Sequence, residues 1–189
     1  MSEVITFNTE TAVKEGSYVQ SIDVFSLVDE NDPILKTRTT DFDFSNPDVD
    51  PMEFSSQLVE TCRLKGGFGL AAPQVGMSVR VFVMGSGEEY VAMFNPKIVN
   101  VATDSVEGEE GCLSYPNLWL KVKRQSKVTA EYFDRNGNKC IIELAGMDAR
   151  CFLHELDHLN GKTFDKSSSA LSLKLARARQ QKKLRKLKR

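Results

Sequence analysis

Both histidines of the chain lie in one ten-residue stretch, FLHELDHLNG (152–161), and no other feature constrains the fold as strongly. On a helix, residues four apart share one face about one turn apart, so His154 and His158 converge on a common point with Glu155 beside them. Met147 and Cys151 continue the histidine stripe toward the N-terminus, while Phe152, Leu153, Leu156 and Leu159 occupy the other sides. A helix that is apolar on several sides belongs in a core. Burying two imidazoles and the carboxylates of Glu155 and Asp157 without partners costs on the order of several kcal/mol each. A metal ion with its supporting hydrogen bonds would remove that cost, and the rest of the chain must then wrap this helix.

The surrounding sequence supplies mostly strands. Asp50 followed by Pro51 is an N-cap and first-turn pair, and Phe54, Leu58 and Cys62 recur at helical spacing until Gly66 and Gly67 stop the run. This predicts a helix of about 14 residues. VRVFVM (79–84) reads as a strand with GSGEE as its turn, and Tyr90 to Val122 reads as short strands and loops. KVTAEYFD and KCIIELA flank Asn136-Gly137, a strong hairpin signal. The histidine helix is expected from Asp148 to Leu159, closed by Asn160-Gly161. Nearer the front, SYVQSIDVFSLV offers a short strand, DENDPILKTR a turn entering a brief edge strand, and TTDFDFSNPDVD a loop. The sum is a small α+β fold, antiparallel strands packed around one central helix. One domain is expected over residues 1–165, including an N-terminal stretch of about 27 residues before the patterned region.

Charge separates the end of the chain from the rest. From Lys166 to Arg189 there are ten Lys or Arg and no Asp or Glu, which leaves 15 basic against 26 acidic side chains in residues 1–165. Leu173, Ala176, Gln180, Leu184 and Leu187 form one stripe on this basic segment, so residues 166–189 are expected as a C-terminal helix packed on the domain or projecting from it. Such a helix suits a solvated terminus, a membrane surface or a phosphate backbone, and it lacks the aromatic anchors of an interfacial helix. The longest apolar runs fall far short of the roughly 20 residues that span a bilayer. The opening residues MSEVITFNTETAV have no secretory signal pattern, so a cytoplasmic protein is expected, with free cysteines rather than a disulfide scaffold.

The histidine pair needs a third ligand. A zincin-type protease would place a Glu or His downstream of the second histidine, but Asp165 is the only carboxylate side chain after His158. The ligand must lie upstream or not exist. Cys62 and Cys151 sit at helical core spacing and Cys140 begins a strand, where a buried thiol acts as a small hydrophobe. Cys112, between glycine and leucine-serine in EEGCLSYP, is the best-placed thiolate.

Three blocks, GFGLAAPQ (67–74), EGCLS (110–114) and HELDH (154–158), together resemble the peptide deformylases in content and order. With DPIL near the front and LNGKTF after the second histidine, the resemblance covers most of residues 28–165. It implies a hydrolase that removes the N-formyl group from the initiator formyl-methionine of nascent polypeptides. Cys112, His154 and His158 would hold one divalent ion, Fe²⁺ first and Zn²⁺ second, with Ni²⁺ or Co²⁺ compatible. Glu155 would move the proton, and Gln74 with the backbone N–H of Leu113 would face the developing oxyanion. Gly67 and Gly69 would let the chain come close to the substrate backbone, and Phe68, Gly69, Leu113, Met147 and Cys151 would line the methionine pocket, Met147 and Cys151 being equally suited to a plain core role; Glu110 and Arg124 would brace the cysteine loop. A ribosome contact, to RNA or protein, through the basic helix is the further partner implied; a monomer is expected.

The chain departs from the family pattern in three places. Leu153 precedes the first histidine where glutamine is common, Trp119 stands where some relatives have arginine, and about 20 extra residues precede the matching region. Trp119 would make the outer subsite more apolar. Two other classes compete with the resemblance: an endopeptidase, disfavoured by the missing downstream ligand, and an RNA-binding module with a structural metal, which needs a closed four-ligand site.

Overall fold

The computed structural model describes residues 23–187. Two helices are packed against a five-stranded antiparallel sheet of order β1-β2-β3-β6-β7, formed by β1 (Gly69–Ala71), β2 (Val81–Ser86), β3 (Glu89–Val101), β6 (Lys127–Phe133) and β7 (Lys139–Ala145). A separate two-stranded sheet joins β4 (Ser105–Cys112) to β5 (Tyr115–Gln125). Helix α1 spans Pro51–Leu64, α2 spans Gly146–Leu159 and α3 spans Ala170–Leu187.

The packing follows from the burial pattern of β2. Val81 and Val83 point into a cluster with Phe54, Leu58 and Cys62 of α1, while Phe82 and Met84 point into a second cluster with Phe152, Leu156 and Leu159 of α2. Covered on both faces, the strand reads as the continuous apolar run VFVM rather than as an alternation. Helix α1 begins where Asp50 caps it, its side chain accepting from Glu53 N–H at 2.8 Å. The end of α2 is held by Thr39, whose N–H and hydroxyl both reach the Leu159 carbonyl at 3.0 Å. Gly161 turns the chain at φ 67°, where a side chain would strike the Lys36 carbonyl.

Several sequence expectations are corrected. DPILKTR is not an edge strand: Asp32 accepts from Ile34 N–H at 2.9 Å and caps a 3-10 turn, Pro33–Lys36, the same Asp-Pro start that opens α1. Tyr90 to Val122 forms long strands, not short ones. The signal was hidden because β4 (SVEGEEGC) is polar and glycine-rich, its strand conformation set by pairing with the alternating β5. Helix α2 starts two residues before the expected Asp148. The strand expected in SYVQSIDVFSLV lies partly outside the described residues, and 23–28 form none. No helix among the described residues is long and apolar enough to cross a membrane.

The first part of the α3 stripe faces the domain. Leu173 and Ala176 join Tyr115, Leu118, Leu120, Val122 and Phe164 in a third apolar cluster, and the amide of Gln180 is buried among them. Leu184 is more exposed, Lys174, Arg179, Lys182, Arg185 and Lys186 are exposed, and Lys183 borders the cleft described below.

Candidate metal centre and active-site cleft

Helix α2 carries His154, Glu155 and His158 toward the turn that joins β4 to β5. Cys112 ends β4 at a register shift, where two residues, Leu113 and Ser114, separate it from its cross-strand partner Tyr115. One ligand atom each from Cys112, His154 and His158 lies within 4.8 Å of the others, and Cys112 Sγ is 3.2 Å from His158 Nε2. A thiolate and two imidazoles converging at that range are a fit donor set for one divalent ion.

The neighbours set the state of each donor. Glu110 Oε2 lies 3.0 Å from His154 Nδ1, and because an ionised carboxylate only accepts, that nitrogen carries a proton. Burial alone would lower the imidazole, but hydrogen bonds with Cys112 and Glu110 raise it to about 10, so an ion taking Nε2 would displace a second proton. Burial pushes the His158 imidazole well below its ordinary range, keeping it neutral and able to ligate. Burial likewise pushes Glu155 up to about 7, against the pull of His154 and Arg124. Glu155 Oε2 has no protein partner. A cation beside it would favour its ionised form, so the orphaned oxygen and the donor set both fit a metal.

Glu110 is the hub of the support. Burial would raise its carboxyl, but hydrogen bonds from His154 and Arg124 bring it down to about 2. Arg124 grips it with Nε at 2.9 Å and Nη2 at 3.0 Å, a bidentate pair, and also reaches Asp157. The family resemblance points to this pair but not to Arg150, whose Nη1 donates to Glu110 Oε1 at 2.7 Å and to the Val122 carbonyl at 2.9 Å. Its Nη2 donates to the Val106 carbonyl at 2.7 Å, so one guanidinium ties α2 to both strands of the hairpin. Gly108 is required there, because a Cβ would lie 2.8 Å from the guanidinium carbon. The available signal was the spacing, since Arg150 stands one turn before His154 on the same helix.

Gln74 sits in a 3-10 turn, Ala72–Val75, and is fully buried. Its Oε1 accepts from Ala71 N–H at 2.8 Å, which turns Nε2 toward Ser114 Oγ at 3.1 Å and Cys112 Sγ at 3.5 Å. Gly69 on β1, the edge strand, lies against Glu155: a Cβ there would come within 2.7 Å of its carboxyl carbon. Gly67 is confined similarly by Leu113 and Cys62.

These residues open onto a cleft of about 630 Å³, lined also by Phe68, Leu113, Trp119, Met147 and Cys151. Phe68 and Met147 are each 64% exposed and Trp119 is 59% exposed, so large apolar groups stand at its rim rather than in a core. All the sequence-selected site residues are brought to this cleft or its buried support. Leu27, Lys65 and Lys183 also line it, and the sequence did not single them out.

A Cys–His–His donor set with a buried glutamate on the ligand helix and an open cleft in front defines the class: a single-metal hydrolase. The family model described as polypeptide deformylase matches residues 24–172, and the chain belongs to that family. It is 38% identical over 142 residues to a peptide deformylase of Desulforudis audaxviator, covering 75% of this chain and 91% of that one. Among solved structures it is similar to a peptide deformylase from Legionella pneumophila, with TM-score 0.79 and 32% identity, covering 88% of this chain and 99% of that one. The corresponding enzyme from Thermotoga maritima gives TM-score 0.74 at 34% identity, over 78% of this chain and 99% of that one.

Proposed function

We propose that the chain hydrolyses the formamide of N-formylmethionyl peptides, releasing formate and a free α-amine, as a metal-dependent amidase and not an endopeptidase. The observation that carries the reading is the open Cys112–His154–His158 cluster with Glu155 beside it and the Gln74 amide directed at Cys112. A divalent ion held there supplies Lewis acidity, lowering the pKa of a water and polarising the formyl carbonyl. Glu155 takes the proton as the water oxygen bonds to the formyl carbon. It then returns that proton to the nitrogen as the C–N bond breaks. Gln74 Nε2, which donates toward Ser114 Oγ and Cys112 Sγ, and the Leu113 N–H would face the oxygen on which charge develops.

The β1 edge at Gly69 suits an extended peptide, which would pair with it as an added strand while the methionine enters between Phe68, Leu113, Met147 and Cys151. Ferrous iron is the cellular metal in this reading, with zinc the alternative. The catalytic unit in this reading is residues 1–165 in the cytoplasm, and the outward basic face of α3 contacts the ribosome, through its RNA or a ribosomal protein. Charge reversal at Lys182 and Lys186 should then reduce co-sedimentation with ribosomes at low salt.

Formate release from formyl-Met-Ala-Ser, measured anaerobically with Fe²⁺- and Zn²⁺-loaded protein, tests the activity. Glu155→Gln should lower kcat by roughly 10²–10⁴-fold with metal retained. Unchanged turnover in that variant would remove Glu155 from its role.

A further inference from the structure

The basic helix α3 is tied to the chain immediately beyond the cysteine turn. Gln180, 6% exposed on a strongly basic helix, donates from Nε2 to the Pro116 carbonyl at 2.7 Å. Its Oε1 accepts from Arg177 Nη1 at 3.0 Å. Arg177 in turn pairs with Glu30 at 2.9 Å and stands over the Tyr115 ring at 5.5 Å. Tyr115 lies directly across the hairpin from Cys112 and packs edge-on against Phe164 at 5.4 Å, and Phe164 packs against His154 at 5.6 Å. The turn Cys112–Leu113–Ser114 is therefore held from the front by the Gln74 amide and from behind by Tyr115 and Pro116, which α3 grips. The fastening is polar and specific where apolar packing alone would have held the helix in place.

We propose that α3 positions the cysteine ligand: Gln180 and Arg177 are positioning residues that fix the Tyr115–Pro116 end of the turn and so set where the Cys112 thiolate and the Leu113 N–H stand. The proposal rests on the ligand set argued above, but it concerns the order of the donors and not the reaction they serve. Removing the Gln180 donor leaves the Pro116 carbonyl unpaired, Arg177 loses one acceptor, and the turn gains freedom that metal binding must then remove. A turn that moves between positions ligates less tightly, because the bound geometry is only fractionally populated.

The test uses the full chain loaded with Co²⁺, whose thiolate charge-transfer and visible bands report the Cys112 ligand directly. Chelator competition measures affinity in the parent, Gln180→Met, Arg177→Met and Val59→Ala. The last loosens α1 without touching α3, Tyr115 or Pro116 and serves as a destabilised control. The expected result is a loss of affinity of about fivefold in Gln180→Met, the scale of one buried hydrogen bond, with a weakened charge-transfer band and no such change in Val59→Ala. Arg177→Met, at a partly exposed position, should show a smaller loss of the same kind. Affinity and spectrum within twofold of the parent in both α3 variants would overturn the proposal. Equal losses in Val59→Ala would also overturn it by making the effect one of general stability. A parent that binds Co²⁺ through Cys112 but releases no formate would defeat the functional reading and leave this measurement standing.

Discussion

Gly69→Ala is a sharp probe of how the site is built, because one methyl group addresses one catalytic candidate. Gly69 has no left-handed φ, so alanine is acceptable to the backbone, and the whole effect is steric. The new Cβ would lie 2.7 Å from the Glu155 carboxyl carbon and 2.8 Å from its Cγ, with Oε1 nearer still. Carbon atoms rest at about 3.5–4.0 Å, so the carboxylate must retreat by roughly 1 Å. Glu155 is packed on a core helix and cannot swing into solvent. Misplacing a catalytic group by ~1 Å costs on the order of 10²-fold in rate, about 2.7 kcal/mol on the barrier. Cys112, His154 and His158 are untouched, so metal content should stay at the parent level. The assay is kcat for formate release alongside metal analysis on the same preparation. A kcat within threefold of the parent would refute the reasoning, as would loss of metal in step with activity.

Glu110→Gln should destabilise the fold by about 3–5 kcal/mol, because Arg150 loses the carboxylate that compensates it in the interior and Arg124 is left with Asp157 alone; thermal melting measures it. Trp119→Ala should raise KM for peptides whose outer residue is apolar and leave kcat within about twofold, since the indole is at the cleft rim; kinetics on a series of formylated tripeptides separates the two.

What the sequence revealed and what it hid divide along the range of the interaction. His154, Glu155 and His158 were legible because an i, i+4 relation is local and survives any tertiary arrangement. Cys112 lies 46 residues from His158 by sequence and was reached only by elimination and by the order of the three blocks. Arg150 was hidden because all its partners, Glu110, Val106, Gly108 and Val122, are on the hairpin. A lone arginine on a helix otherwise reads as surface. Strand β4 was hidden for a related reason: its residues are polar, and only the alternation of β5 across from it makes them a strand. The α3 stripe was legible down to Gln180 from periodicity alone, but the Pro116 carbonyl that it holds was not. Propensity and period describe an element, whereas partners are decided by the topology that brings two elements together.

The topology also predicts where metal removal will be felt. The β4–β5 sheet shares no backbone ladder with the five-stranded sheet, so its seat on α2 depends on the Glu110–Arg124–Arg150 network, the apolar cluster around Tyr115 and Phe164, and whatever the ligands contribute. Cys112 rides on this hairpin while both histidines ride on α2, so a bound ion would span that joint. An ion bound only by the assembled site stabilises assembly over opening, by about 2.7 kcal/mol when its concentration is 100 times Kd. Strands β2 and β3 have no ligand and are held by the α1 and α2 clusters, so they should not respond to the same degree. Chelation should therefore raise amide hydrogen exchange first across residues 105–125, with β2 and β3 protection nearly unchanged. Parallel exposure of both sheets would show that the chain opens as one unit, and that the ion is not what seats the hairpin.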